Sequence, residues 1–119
     1  MRVANPNHPS AMNIANIHES SEDFHLLETT GRTQTATITL KPGETTSEGM
    51  NTHPHSDQTV LVLDGELEAE VGIEHETLRK GESLIIPAGV PHRLANNRQQ
   101  TAFAFTVYAP PAYQTDDPT

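Results

Sequence analysis

Residues 81–96, GESLIIPAGVPHRLAN, constrain this chain more than any other stretch. Lys80, Gly81 and Glu82 open it as a turn, and the apolar run at 84–86 reads as a buried strand. Pro87, Gly89 and Pro91 then force a corner. His92 stands directly behind that corner and opens a second strand. The period-two alternation of a strand puts His92, Leu94 and Asn96 on one face. A histidine behind two prolines has little conformational freedom, as a metal ligand requires.

A second stretch, at 49–65, reads GMNTHPHSDQTVLVLDG. It carries Asn51, His53, His55 and Gln58, each with a lone pair that a cation can accept. Asn51 and His53 are two apart, so in a strand over 49–53 they share a face. Pro54 ends that strand because it lacks a ladder donor. A strand over 59–63 follows, and Asp64-Gly65 is a tight-turn signal of the kind that joins hairpin strands.

Together the two stretches resemble the motifs of the cupin family. The second cupin motif is glycine, five residues, proline, one residue, glycine, two residues, histidine, three residues, asparagine. Gly81, Pro87, Gly89, His92 and Asn96 fill every position. The first motif is histidine, one residue, histidine, three or four residues, glutamate, six residues, glycine. Anchored on Gly65, it places Gln58 at the glutamate, His53 at the second histidine and Asn51 at the first. The resemblance covers about two-thirds of the chain, residues 34–109. It implies an all-β fold, a double-stranded β-helix or jelly-roll barrel, in a small single-domain cupin. It also implies a divalent metal (Zn, Mn, Fe or Ni) held by His53 and His92. Gln58 is a third candidate ligand, with Asn51 or His55 as the fourth. An amide at 58 brings no charge, so Coulomb attraction for a cation is weaker than at a glutamate site. Read without the resemblance, the same residues are barrel side chains satisfied by hydrogen bonds.

The remaining chain agrees with an all-β domain. Its 119 residues suffice for one small domain. Aromatics make up 4 %, so Val, Leu, Ile and Ala must build the core. So thin a core predicts pairing into a homodimer. Residues 1–20, rich in Asn, Pro, Ser and His, read as an N-terminal arm with solvated His8 and His18. The barrel domain spans 21–113, and 114–119 form an acidic tail. The segment 21–31 holds an apolar cluster that suits a short strand or one helical turn. Strands are expected at 32–40, 66–71, 74–79 and 101–108, the last with Phe103, Phe105 and Val107 on one face. Tyr108 and Tyr113 read as packing at the barrel end. Turns and alternation without a helical period give a sandwich or barrel.

Several function classes have no support. A formal charge of −9 argues against a nucleic-acid or anionic-membrane partner. There are no cysteines, hence no disulfide and no thiolate site. The dispersed glycines make no phosphate cradle, and no nucleophile elbow or paired carboxylates occur. No secretory signal or bilayer-length apolar run is seen, which makes the cytoplasm the expected location. The partner is then a small molecule. One expectation is a metal-dependent enzyme of isomerase, lyase or dioxygenase type on a sugar-like or oxygen-rich metabolite, with Asp57 and Glu48 near the motif as candidate acid or base. The other is a binding or sensor module without metal or catalysis.

Overall fold

A computed structural model describes residues 12–19 and 23–114 of the chain. Eight strands follow in order: β1 (Phe24–Thr29), β2 (Gln34–Leu40), β3 (Asp57–Asp64), β4 (Glu66–Val71), β5 (Glu74–Arg79), β6 (Ser83–Ile86), β7 (His92–Ala95) and β8 (Ala102–Ala109). They form a five-stranded sheet, β1-β2-β8-β3-β6, and a three-stranded sheet, β5-β4-β7. Every ladder is antiparallel, and the described residues contain no helix. This is the expected all-β architecture of a double-stranded β-helix.

The larger sheet shows how the core is packed. On its inner face the registers align residues of β2, β8 and β3 into rows: Ile38–Ala104–Val62, Ala36–Thr106–Val60 and Gln34–Tyr108–Gln58. Alanine in the central strand lets branched side chains on both flanks reach the opposite sheet without overlap. There they meet Leu67, Ala69, Leu78 and Leu94. Burial of each large aliphatic side chain stabilises the fold by roughly 1.5–3 kcal/mol. Phe103, Phe105 and Val107 share a face as expected, but it is the half-buried outer one. The third row is polar, and it marks the site end of the barrel.

Three local expectations are corrected. The apolar run at 84–86 is not a buried strand: β6 is a sheet edge, Ile86 is buried, and Ile85 is 63 % exposed. Residues 49–53 are not a strand, because only an isolated bridge between Asn51 and His92 forms there. Asp64-Gly65 does not close a hairpin. It is the corner where the chain leaves the larger sheet at β3 and enters the smaller at β4. β3 finds its ladder partners in β6 and β8, and β4 in β5 and β7, so Val60 and Val62 on the one strand and Leu67 and Ala69 on the other are buried from two different sheets. The cluster at 24–29 resolves as a strand rather than a helical turn.

Of the expected arm, residues 1–11 and 20 lie outside the described residues, and His8 with them. So do 115–119 of the tail. His18 is exposed, but its ring stacks on Phe103 at 5.5 Å between centroids.

The Gly65 corner gives a direct test of the sheet change. Gly65 has φ +74°, and a Cβ there would lie 2.8 Å from the Thr101 carbonyl oxygen and 3.0 Å from Ala102 Cα, both backbone atoms. Gly81 has a similar φ of +86° but nothing within 4 Å. Gly81→Ala should therefore cost about 1 kcal/mol, the left-handed backbone penalty alone. Gly65→Ala should cost roughly 3 kcal/mol or more. Urea unfolding of both variants checks this, and equal losses would contradict the corner.

Candidate functional site

The two sequence stretches meet through their backbones. Asn51 N donates to His92 O at 2.7 Å, and His92 N donates to Asn51 O at 2.8 Å. One turn on, Gly89 N donates to His53 O at 2.9 Å. Asp57 Oδ1 accepts from Ala88 N at 2.9 Å. The corner before His92 is thus pinned by residues from the first stretch. Asp57, a candidate acid or base on sequence, is engaged as its clamp, and Glu48 is exposed on the neighbouring loop with its carbonyl held by Arg93.

His92 is buried at the start of β7, where alternation puts it on the inner face with Leu94. Its Nδ1 lies 3.0 Å from Val90 O. A carbonyl only accepts, so Nδ1 carries the proton and Nε2 keeps its lone pair. His53 is half-buried, with its ring 5.1 Å from that of His92. The rings of Tyr108 and Tyr113 meet it edge-on at 5.1 and 5.6 Å. Burial, and next the neighbouring His92, hold the His53 pKa below the ordinary 6.5. His53 is therefore a neutral imidazole at physiological pH.

Gln58 is 3 % exposed, and its amide orientation is determined by its neighbours. Thr106 Oγ1 donates to Thr59 O at 2.8 Å, so that hydroxyl can only accept from Gln58. Gln58 Nε2 donates to Thr106 Oγ1 at 3.0 Å and to Tyr108 Oη at 3.2 Å. The amide oxygen then points away from both, buried and without a hydrogen-bond partner. Burial, followed by the nearby Tyr113, pushes the Tyr108 pKa far above its usual range, so its phenol stays protonated.

These groups line a cavity of about 360 Å³ at the polar end of the barrel. Asn51, His53, Gln58 and His92 all reach it. His55 does not line it and is exposed on the loop after Pro54. Asn51 Oδ1 accepts from Thr52 N at 3.0 Å. The wall also contains Asp23, Phe24, Thr45, Thr46, Tyr108 and Tyr113 over a floor of Ile38, Leu40 and Leu94. Both tyrosines, read as end packing, are cavity residues. The signal for Tyr108 was its place on the inward face of β8, two residues after Thr106. Nothing local marks Asp23 or Thr45. Asn96, the last position of the second motif, is fully buried away from the cavity: it donates to Leu40 O and Gln100 O and accepts from Arg98 N, fixing the turn after β7.

The donor set suits a cation in kind but not in charge. Two imidazoles and one orphaned amide oxygen offer three lone pairs, none of them charged. Among the described residues no three His, Cys, Asp or Glu side chains cluster as metal-binding groups do. No lysine or arginine lines the cavity among the described residues.

The lowered His53 pKa sets a stability trend. Above about pH 6.5 the imidazole is neutral in both folded and unfolded chains. Below it, the unfolded chain takes up the proton first, so this contribution is lost as pH falls through the folded pKa. The urea midpoint should drop between about pH 7.5 and about pH 5.5. His53→Gln should remove that part of the slope, and the His53 ring should titrate below 6.5 by NMR. A His53 ring titrating above 6.5 would contradict this geometry.

Comparison with known proteins adds three findings. Residues 36–108 match a family model described as a cupin domain. A stretch of 57 residues is 39 % identical to "Polyketide synthase CurC" of Streptomyces cyaneus, covering 48 % of this chain and 36 % of that one. "Protein SchB" of Streptomyces halstedii also matches at 39 % over 57 residues, with 48 % and 40 % covered. The match thus spans well under half the length of either curated relative. Among solved structures, the protein TT1209 from Thermus thermophilus superposes with TM-score 0.74 at 26 % identity, covering 83 % of this chain and 98 % of that one.

Proposed function

The chain belongs to the cupin family, and on that premise we propose that it takes a small, uncharged, oxygen-bearing molecule into the barrel cavity, beside a divalent cation held by His53, His92 and Gln58. The observation that carries this reading is the buried Gln58 Oε1 without a partner, in a residue that lines the same cavity as the two histidines. A buried acceptor left unpaired costs roughly 1–3 kcal/mol, so its natural partner is something that enters the cavity. A cation or a ligand hydroxyl answers that need.

The charge pattern bears on the ligand. With Asp23 in the wall and no lysine or arginine lining the cavity among the described residues, a phosphate or carboxylate finds no counter-charge from the protein and could pair only with the cation. That favours neutral, hydroxylated ligands over sugar acids or sugar phosphates. The aromatic and aliphatic wall takes the carbon skeleton. The name of one curated relative, a polyketide synthase, agrees with an oxygenated, uncharged carbon framework.

When bound, a divalent cation supplies Lewis acidity and orientation to the ligand's oxygen functions. The chain's own groups have separate tasks. Val90 O keeps His92 in the tautomer that presents Nε2. Tyr108 and Thr106 together fix the Gln58 amide. The Tyr108 phenol remains a neutral hydrogen-bonding group at the cavity wall. A second reading, binding without metal, draws on the absence of charge from all three donors. Elemental analysis after incubation with Zn, Mn, Fe or Ni separates the two.

Substitutions at the donors test the cation site. His92→Ala should abolish metal binding with the barrel still folded, because Ala88 N and Gly89 N still hold the corner before it when the ring's contact with Val90 O is lost. Gln58→Glu should tighten binding about tenfold or more by adding a charge at short range. The same change should lower the stability of the metal-free protein, since the carboxylate is buried without a counter-ion. His55→Ala should leave affinity unaltered. Isothermal titration with Zn or Mn measures all three, and retained parental affinity in both His53→Ala and His92→Ala would overturn the cation site.

A further inference from the structure

The polar row that carries Gln58 holds a second buried amide at its other end, Gln34 of β2. Gln34 is 0 % exposed and takes no part in the binding proposed above. Its Oε1 accepts from Ala112 N at 3.1 Å and from Tyr113 N at 3.0 Å. Its Nε2 donates to Tyr113 O at 2.9 Å and to Thr29 Oγ1 at 3.0 Å. The side chain thus meets both the N–H and the C=O of Tyr113, as a neighbouring strand does in a ladder. The chain beyond β8 has left the sheet at Ala109, and this amide ties its backbone back to β2.

The consequence falls on the Tyr113 ring. It packs against Phe24 at 5.0 Å, Tyr108 at 5.3 Å and His53 at 5.6 Å between centroids. It forms the cavity wall beside the residues that carry the site's chemistry. A buried amide is tolerated when its hydrogen bonds are met, and here three of the four come from residues 112 and 113. Docking of the segment and burial of Gln34 therefore support each other, and the wall is fixed in place.

We propose that Tyr113 is the residue that sets which ligands the cavity admits, and that Gln34 is its positioning residue. This rests on the cavity being a ligand site. A ring held by an amide clamp presents one shape to an entering molecule, whereas a free segment would present many. Ligand size is then limited on the His53 and Tyr108 side by Tyr113.

The test uses the full chain, which has two tyrosines, so 3-fluorotyrosine labelling gives one ¹⁹F line from each. Tyr113→Phe removes one line and assigns it. In Gln34→Leu the Tyr113 line should move to the position of free fluorotyrosine, while the buried Tyr108 line shifts only with the loss of the Tyr113 ring beside it and stays away from that position. In Gln34→Leu and Tyr113→Ala, carbethoxylation of His53 by diethyl pyrocarbonate, read by peptide mass, should accelerate about fivefold or more. Tyr113→Phe should keep the parental rate. Tyr113→Ala lies on a half-buried surface segment and keeps the test open should Gln34→Leu fail to fold. Phenol and 1-naphthol serve as binding probes: the naphthol-to-phenol affinity ratio should rise about fivefold in Tyr113→Ala and stay parental in Tyr113→Phe. An unmoved Tyr113 line in folded Gln34→Leu overturns the clamp, and an unchanged probe ratio overturns the role of Tyr113. A parent that binds neither probe overturns the ligand-cavity reading itself.

Discussion

The double hydrogen bond between Asn51 and His92 is the constraint on which the site depends. It joins two stretches that are far apart in sequence, and it does so outside any regular ladder. The bond from Gly89 N to His53 O and the Asp57 clamp on Ala88 extend the same tie. Without it the corner and the loop would each be a surface turn. With it, the backbone carries the two imidazoles to ring contact at 5.1 Å. Val90 O then orients the His92 ring, and the rings of Tyr108 and Tyr113 flank that of His53.

The barrel solves a second problem, that of placing polar groups inside a small apolar core. On the larger sheet it gathers several of them in one row, Gln34–Tyr108–Gln58, with Thr106 behind, while Asn96 is satisfied apart from it. Almost every buried hydrogen-bonding atom of that row has a partner. Gln34 meets the segment beyond β8, and Thr106 Oγ1 donates to Thr59 O while accepting from Gln58 Nε2. The exception is Gln58 Oε1. Since the other groups of the row are satisfied, the unmet demand is concentrated at this one atom of a cavity-lining residue.

Glutamine in place of a carboxylate changes what the site can be. A glutamate at 58 would give it a fixed charge and make it selective for cations. An amide keeps the geometry and removes the charge, so the same atom serves a cation or a hydroxyl donor. The lowered His53 pKa works in the same direction, because it keeps the second imidazole neutral. The cavity is thus an acceptor-rich pocket without net charge from its central residues, in a chain of formal charge −9.

The sequence by itself determined the all-β class, seven of the eight strands to within a few residues, and the shared face of His92, Leu94 and Asn96, which the structure turns inward. These follow from alternation and from proline and glycine punctuation, which act over a few residues. Through its resemblance to the cupin motifs it also marked His53, Gln58 and His92, with Asn51 and His55 beside them. Only the tertiary structure decided which sheet each strand joins. That is why Asp64-Gly65 became a corner between sheets, where an added Cβ would strike Thr101 O, and why the run at 84–86 became an edge. It also decided that His55 faces solvent and that Tyr108 and Tyr113 line the cavity. The physical reason is that a side chain's surroundings are set by partners distant in sequence. Gln34 shows this most clearly: nothing near it in the chain indicates that its amide will hold Tyr113 in the cavity wall.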